Sequence, residues 1–450
     1  MDCGHLRILG SGLASHHGHP RRPNRAAQGV AHRLGMFRGL SLIAAFSRTP
    51  GMLIAVRALL GVAGATMAPS TLSLISNMFR DEREKTFAVS VWVASFSLGG
   101  AIGPAIGGLI LAHFWWGAVL LAPVPVMLLL LIAGPLLLPE HKIAQAGRLD
   151  LLSAVLSVVA VLPIIYGIKL AAEGGNPVTA LVAAVVGIAF GTWFLRRQAR
   201  LSDPLLDLAL FRRPAVSMAL TIYTFDFFVG FGILIIVAQY LQLVLGLSPL
   251  EAGLWSTPVG FGFVAGSLLT SPALRLMRPA YVLGCGLTMG AVGLGAMALA
   301  VHTHSLILII VGNVVFSIGM APCTTIIADL IVSAAPQEQS GAASALSEMA
   351  SELGGALGIA LLGSLVTVIY RRALSASIPP MVHGEVLERA LSGIGSAVSS
   401  AQNDGGRVLV SAARAAYSDA AQAAFWASAC IVLMAAVGGS AMFRTFKARE

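Results

Sequence analysis

Long apolar runs alternate with short polar loops along most of this chain. The runs fall at 50–79, 86–113, 116–138, 149–171, 178–197, 214–244, 250–275, 279–301, 305–334, 338–370 and 420–444. Each reaches or approaches the ~20 residues that a helix needs to cross a bilayer core. A backbone in lipid must satisfy its own hydrogen bonds, so each run predicts a helix. A shorter run, Leu34 to Phe46, contains Arg38 and is a poor span by itself. The pattern predicts an all-α membrane protein with eleven good spans and one weak one.

Composition agrees. Of the 450 residues, 57% are hydrophobic and 11% charged, where soluble domains carry about 25% charged residues. The net charge of +9 does not point to nucleic acid, because the basic residues flank apolar runs as the positive-inside effect requires. Arg80, Arg83, Lys85, Lys142, Arg148, Arg196, Arg197, Arg200, Arg212, Arg213, Arg275, Arg278, Arg444, Lys447 and Arg449 all fall on one side, which is therefore cytoplasmic. The alternate loops hold little beyond His113, Glu173, His302 and His304. Segment 371–419 then lies outside, although it carries several arginines. Residues 1–33 read as a basic, disordered tail, and its His16–His19 cluster reads as part of that tail rather than as a metal site. The four cysteines show no metal-ligand spacing and no disulfide framework. No lysine follows a glycine, which excludes the phosphate-binding Gly-Lys-Ser/Thr loop. No nucleophile–base or metal constellation suggests an enzyme, and no cofactor is expected.

One glycine skeleton occurs twice. Leu98–Ile106 reads LGGAIGPAI and Leu353–Leu361 reads LGGALGIAL. The second copy lies in the fifth of the six spans after residue 213. Two similar halves require the first copy to lie in a fifth span too, yet it lies in the third, counting the weak Leu34–Phe46 run. Two helices are thus expected to be missing at the N-terminus, and the spans at 149–171 and 178–197 form an extra pair between the halves. The expected organisation is the tail 1–33, an incomplete N-terminal bundle 34–140, the extra pair and cytoplasmic linker 141–213, and a C-terminal six-helix bundle 214–444 with an extracytoplasmic loop 371–419. Internal repeats with a site at their interface are common in secondary transporters.

In the first copy Gly99, Gly103, Gly107 and Gly108 make a smooth groove on a helix and Pro104 adds a kink. This string resembles the antiporter motif of the major facilitator superfamily. Arg57–Ile75 resembles the family's fourth helix, with Arg57 and Gly61 matching its Arg-x-x-x-Gly core. Asp203–Pro214, Gln239–Gly253 and Ser340–Ser364 resemble the fourteen-span drug–proton antiporters. The resemblance covers roughly residues 34–444. It implies a two-bundle helical fold with an extra central helix pair, a bacterial inner-membrane setting, and export of lipophilic cations driven by the proton gradient without a cofactor. It further implies a monomer whose partners are the bilayer, protons and the cargo. The family's acidic first helix and its Gly-x-x-x-Asp-Arg-x-Gly-Arg gating motif are not found, and Val30–Gly39 stands where that motif should end. The chain is therefore read as N-terminally truncated. The alternatives are a non-transporting remnant with a binding or regulatory role, and an exporter or importer of one metabolite.

Charges within the spans need a reason, since one at the midplane costs about 2.5–3.5 kcal/mol on insertion scales. Glu352 lies ~18 Å along its helix from Ser340, and Glu348 lies one turn nearer the cytoplasm on the same face. Two close carboxylates resist double ionisation, so the pair suits proton binding that competes with a cation. Glu348 alternatively reads as a solvated interfacial residue. Asp226 lies ~18 Å past Pro214 among Phe225, Phe227 and Phe228. It reads equally as a cation site and as a structural acid. Arg57, ~9 Å in from Gly51, is expected to be a buried base; the resemblance makes it a charge that tunes a proton site. Asp329 reads as interfacial, Lys169 as snorkelling, and Gln239, Gln242 and Asn313 as cavity donors and acceptors. Copy one has Val93 and Ser97 where copy two has Glu348 and Glu352. The first is thus expected to seal the path and the second to hold the exchangeable proton.

Overall fold

The computed structural model describes residues 35, 37–65, 81–137, 150–201, 208, 211, 214–333, 340–377, 385–399 and 404–443. Among these there is no strand. The helices are α1 (Pro50–Ala65), α2 (Glu82–His113), α3 (Pro123–Leu137), α4 (Leu151–Ala172), α5 (Pro177–Gln198) and α6 (Pro214–Gln239). They continue with α7 (Pro249–Leu276), α8 (Pro279–Ala300), α9 (Leu306–Ser333), α10 (Ser340–Ser377), the short α11 (Glu385–Ser392) and α12 (Ile394–Ser399), and α13 (Asp404–Phe443). Eight described helices are long and apolar enough to cross a membrane, namely α4 to α10 and α13. The stretch 66–80 and the His16–His19 cluster lie outside the described residues.

The chain forms two compact units. One holds the described residues up to Trp92 and again from Trp115 to Leu137. Within it, residues 37–45 are helical, and Gly117 sits where a Cβ would strike the Ala45 carbonyl. Phe46 and Trp115 rings lie 5.7 Å apart beside that contact. Residues 37–45 of the weak run are thus a short helix held by a glycine approach and an aromatic pair.

The other unit holds Val93–Phe114 and everything described from Asp150 onward. Its helices begin where capping chemistry allows. Asn176 accepts from Val178 N at 2.9 Å ahead of Pro177, and Ser248 and Glu251 form a reciprocal capping box ahead of α7. Asp150 caps α4 by accepting from Ser153 N and Oγ at 3.1 and 2.6 Å. Arg197 at the end of α5 donates to both Asp150 oxygens at 3.1 and 3.0 Å, and Gln198 Nε2 donates to Ser153 Oγ at 2.8 Å. This clamp closes α4 and α5 into an antiparallel pair. Along the pair, a Cβ at Gly167 would lie 2.6 Å from the Ala180 carbonyl and one at Gly187 2.7 Å from that of Ala160. Small residues let backbones approach where lipid removes the hydrophobic drive for helix association.

α6 to α10 and α13 pack around a buried core that includes Ile233, Tyr240, Leu283, Leu294, Ile327 and Phe425. The segment 371–419, expected as a loop, is mostly helical instead. α10 runs on to Ser377, α11 and α12 follow, and α13 begins at Asp404. Tyr370 Oη donates to the Ala390 carbonyl at 2.9 Å and ties α11 back onto α10.

Candidate functional site

The second glycine copy determines how α10 meets α6. A Cβ at Gly354 would strike the Thr224 carbonyl, and one at Gly358 the Phe228 carbonyl. A Cβ at Gly232 of α6 would fall 2.5 Å from Leu362. Contacts at 224, 228 and 232 with 354, 358 and 362 advance together, so the two helices run parallel. This crossing brackets Asp226.

Asp226 is only 6% exposed. Its Oδ2 accepts a hydrogen bond from Thr324 Oγ1 of α9 at 2.6 Å. The carboxylate therefore turns toward α9, away from its sequence neighbours Phe225, Phe227 and Phe228. Those rings pack along α6 with one another. Tyr223–Phe227 centroids lie 4.9 Å apart, Phe227–Phe231 6.1 Å and Phe225–Phe228 6.1 Å. The expected aromatic cage around the acid is thus an aromatic ladder at 223, 227 and 231 beside it.

Glu348 and Glu352 are both exposed on α10, while the adjoining Ser347, Ala350 and Ser351 are buried. Tyr223 lies within electrostatic range of both Asp226 and Glu348, and Cys323 within range of Asp226. Tyr223, Asp226, Thr324 and Glu348 thus form one polar neighbourhood, with Glu352 a turn further on the same helix face as Glu348. None of the three acids has an ion-pair partner among the described residues. Further along α10 the same face carries Ile359, Gly363 and Tyr370, which line a cavity of about 560 Å³ with Gln239 and Tyr417. Tyr417 Oη donates to Gln239 Oε1 at 2.9 Å. Lys169 and Glu173 pair at 3.7 Å at its edge.

Other expected residues are placed differently. Arg57 is exposed on α1 rather than buried, and it belongs to the other unit. Arg57 is the eighth of the 16 residues of α1, and a depth count along the helix does not register which way its long side chain turns. Gly99, Gly100, Gly103 and Gly107 meet nothing within 4 Å among the described residues. Gly108 alone of the first copy makes a close approach, to the Pro249 carbonyl. The packing edge of α2 is Ala101, Pro104, Ala105 and Gly108, spaced i, i+3, i+4, i+7, and it meets glycines contributed by α7. A Cβ at Gly253 would strike the Pro104 carbonyl and one at Gly260 the Ala101 Cα. Gln242 and Asp329 are exposed, and Asn313 is buried.

Thr324 and Tyr223 escape sequence reasoning. A Thr-Thr pair two residues after Pro322 in an apolar span is the signal for the first. Tyr223, one turn before Asp226, is the signal for the second.

Comparison with known proteins places this architecture. The Major Facilitator Superfamily profile matches residues 34–359. The chain is 39% identical over 414 residues to the multidrug efflux pump LfrA of Mycolicibacterium smegmatis, covering 91% of this chain and 81% of that protein. It is 35% identical over 424 residues to the methyl viologen resistance protein SmvA of Salmonella typhimurium, covering 90% and 82%. Among solved structures, an inward-facing, unoccupied bacterial homologue of the human lysosomal transporter Spinster superposes with a TM-score of 0.63 at 16% identity, covering 94% of this chain and 84% of that one. That likeness speaks to fold alone. With its spanning helices and these matches, the chain is a multi-pass membrane protein that belongs to the Major Facilitator Superfamily.

Proposed function

We propose that this protein is a proton-coupled multidrug efflux transporter of the bacterial inner membrane, exporting lipophilic cations as a monomer. One observation carries the reading: Asp226, Glu348 and Glu352 stand in spanning helices of one bundle without an ion-pair partner among the described residues. A carboxylate in such a place is neutral with a proton or matched by a cation. Alternation between those two states is what exchange requires. The relatives named above support the cargo class, since methyl viologen is a flat aromatic cation. The ladder of Tyr223, Phe227 and Phe231 offers ring faces that attract such cations.

Glu348 and Glu352, exposed on α10, meet cargo and proton first. Asp226, held by the Thr324 hydroxyl, is the buried member whose charge the cargo senses through Tyr223. Protons arriving from outside neutralise the acids and release the cation, and the bundles rock to the other side. The helix pair α4–α5 supports assignment to the fourteen-span drug–proton antiporters.

The test is ethidium efflux from preloaded cells expressing the full chain, with and without a proton-gradient collapser. Efflux should stop on collapse. Glu352→Gln should lower gradient-driven transport by roughly 100-fold, the scale of one lost essential charge interaction, while the folded yield stays unchanged. Efflux that survives collapse, or an unaffected Glu352→Gln variant, contradicts the reading.

A further inference from the structure

The arginines of segment 371–419 run against the positive-inside pattern, and the structure shows where three of them go. Arg371 donates to the Glu173 carbonyl. Arg407 and Arg414 lie on one face of α13 with Ser411 between them, at i, i+4 and i+7. That face closes a cavity of about 600 Å³ with His304 from the turn between α8 and α9, and with Val244 and Leu245 at the end of α6. No carboxylate lines it among the described residues.

The cationic wall is built rather than incidental. After Gln239 the chain makes a π turn over Tyr240–Val244, and Leu245 N bonds Tyr240 O at 3.0 Å. Arg414 Nε donates to the Leu243 carbonyl at 2.9 Å and anchors the guanidinium by one edge. Gly246 follows in the left-handed conformation, φ 74°, that favours glycine, and a Cβ there would meet Nη2 at an ordinary contact distance of 3.7 Å. Among the described residues the Nη pair of Arg414 takes no hydrogen-bond partner, and Arg407 takes none. His304 sits at the rim with φ 50°, a left-handed conformation that non-glycine residues seldom adopt. The cavity lies at the end of the bundle away from Arg275 and Arg278, hence on the outer side.

We infer that this cavity binds a phosphate anion. Arg407 and the free fork of Arg414 grip the phosphate oxygens, Ser411 and His304 flank them, and Val244 and Leu245 give an apolar wall beside the charge. Two sources share this chemistry, an anionic phospholipid headgroup in the outer leaflet and a soluble phosphate. The site is separate from the acids of the proposed exchange path and does not depend on that reading.

The full chain would be reconstituted in nanodiscs of phosphatidylcholine with or without phosphatidylglycerol, and native mass spectrometry would count the retained lipids. In parallel, inorganic phosphate would be titrated against the thermal unfolding midpoint in detergent. Preferential retention of phosphatidylglycerol identifies the lipid source, while a midpoint raised by phosphate without lipid preference identifies the soluble one. In either arm Arg407→Gln should weaken the response about fivefold, the worth of one exposed charge contact. Arg414→Lys, which keeps charge but loses the fork, should weaken it as well. Arg275→Gln at the opposite end should change nothing. The inference is overturned by equal retention of both lipids with no phosphate response, by responses that survive both cavity variants, or by an equal loss in Arg275→Gln.

Discussion

The two glycine copies share a sequence and do opposite work. In α10, Gly354 and Gly358 face the backbone of α6 so closely that no side chain fits between. Their counterparts in α2, Gly99 and Gly103, meet nothing within 4 Å among the described residues. There the close approach comes from the partner, through Gly253 and Gly260 of α7 against Pro104 and Ala101. A glycine motif is therefore a permission to approach, and the neighbouring helix decides whether it is used. The acids follow the same division. Copy two carries Glu348 and Glu352 on the face beside its glycine seam, while copy one has Val93 and Ser97 at those positions.

The sharpest test of that contrast is steric. Gly358→Leu would drive a side chain into the Phe228 carbonyl, which belongs to backbone and cannot rotate away. Separating α6 from α10 should cost more than ~3 kcal/mol, above the usual range for overpacking, and should abolish a monodisperse peak on size-exclusion chromatography. Gly358→Ala should cost about 1–3 kcal/mol. The equivalent Gly103→Ala should be neutral or stabilising by up to ~1 kcal/mol, the helix-propensity gain over glycine. Equal thermal shifts for Gly358→Ala and Gly103→Ala would erase the comparison. The partner side gives the mirror prediction. Gly260→Ala, which would press on the Ala101 backbone, should cost about 1–3 kcal/mol, although it lies outside either copy of the motif.

Much of this was legible in the sequence, for physical reasons. Spans were readable because length and apolarity alone decide whether a helix crosses a bilayer. The helical character of segment 371–419 was not, because α11 and α12 are too short and too polar to register as spans. Asp226, Glu348 and Glu352 stood out as lone acids in apolar runs. The direction of Asp226 did not, since residues adjacent in sequence point to different faces of a helix. Its actual partner, Thr324, is 98 positions away. The glycine pattern was visible, but its contacts depend on α6 and α7, which the motif does not contain.

A smaller effect separates the buried acid from the exposed pair. Thr324→Val is nearly isosteric and removes the one side-chain hydrogen bond that Asp226 accepts among the described residues. Losing a donor to a buried charged group is worth ~1.5 kcal/mol at the low end, so cation efflux should fall about tenfold. Thr325→Val is the control, because Thr325 Oγ1 mainly bonds its own helix at Ala321 O, 2.9 Å away. Matching losses in both variants would remove Thr324 from its positioning role.

The smallest effect concerns a third glycine crossing, α4 on α5, where close approach at Gly167 and Gly187 is backed by a polar clamp. The hydrogen bonds from Ser153, together with the Arg197 guanidinium, hold the Asp150 carboxyl below its ordinary value of 3.8. A carboxylate with a depressed folded-state pKa stabilises the fold above its unfolded pKa, and that contribution fades as pH falls through the folded value. Wild type should therefore be the more stable at pH 7 when compared with Asp150→Asn, and the gap should close as pH drops below about 4. Comparing the two proteins isolates this one group from the other carboxylates that titrate in the same range. Because the ion pair is only part-buried, with the Arg197 and Asp150 side chains 29% and 19% exposed, the gap at pH 7 should be smaller than the loss from Gly187→Ala, whose Cβ would fall 2.7 Å from the Ala160 carbonyl. If Asp150→Asn proved the more damaging of the two, charge rather than glycine contact would hold this pair, and the reading of glycine as the shared device of helix approach would fail at its best-clamped example.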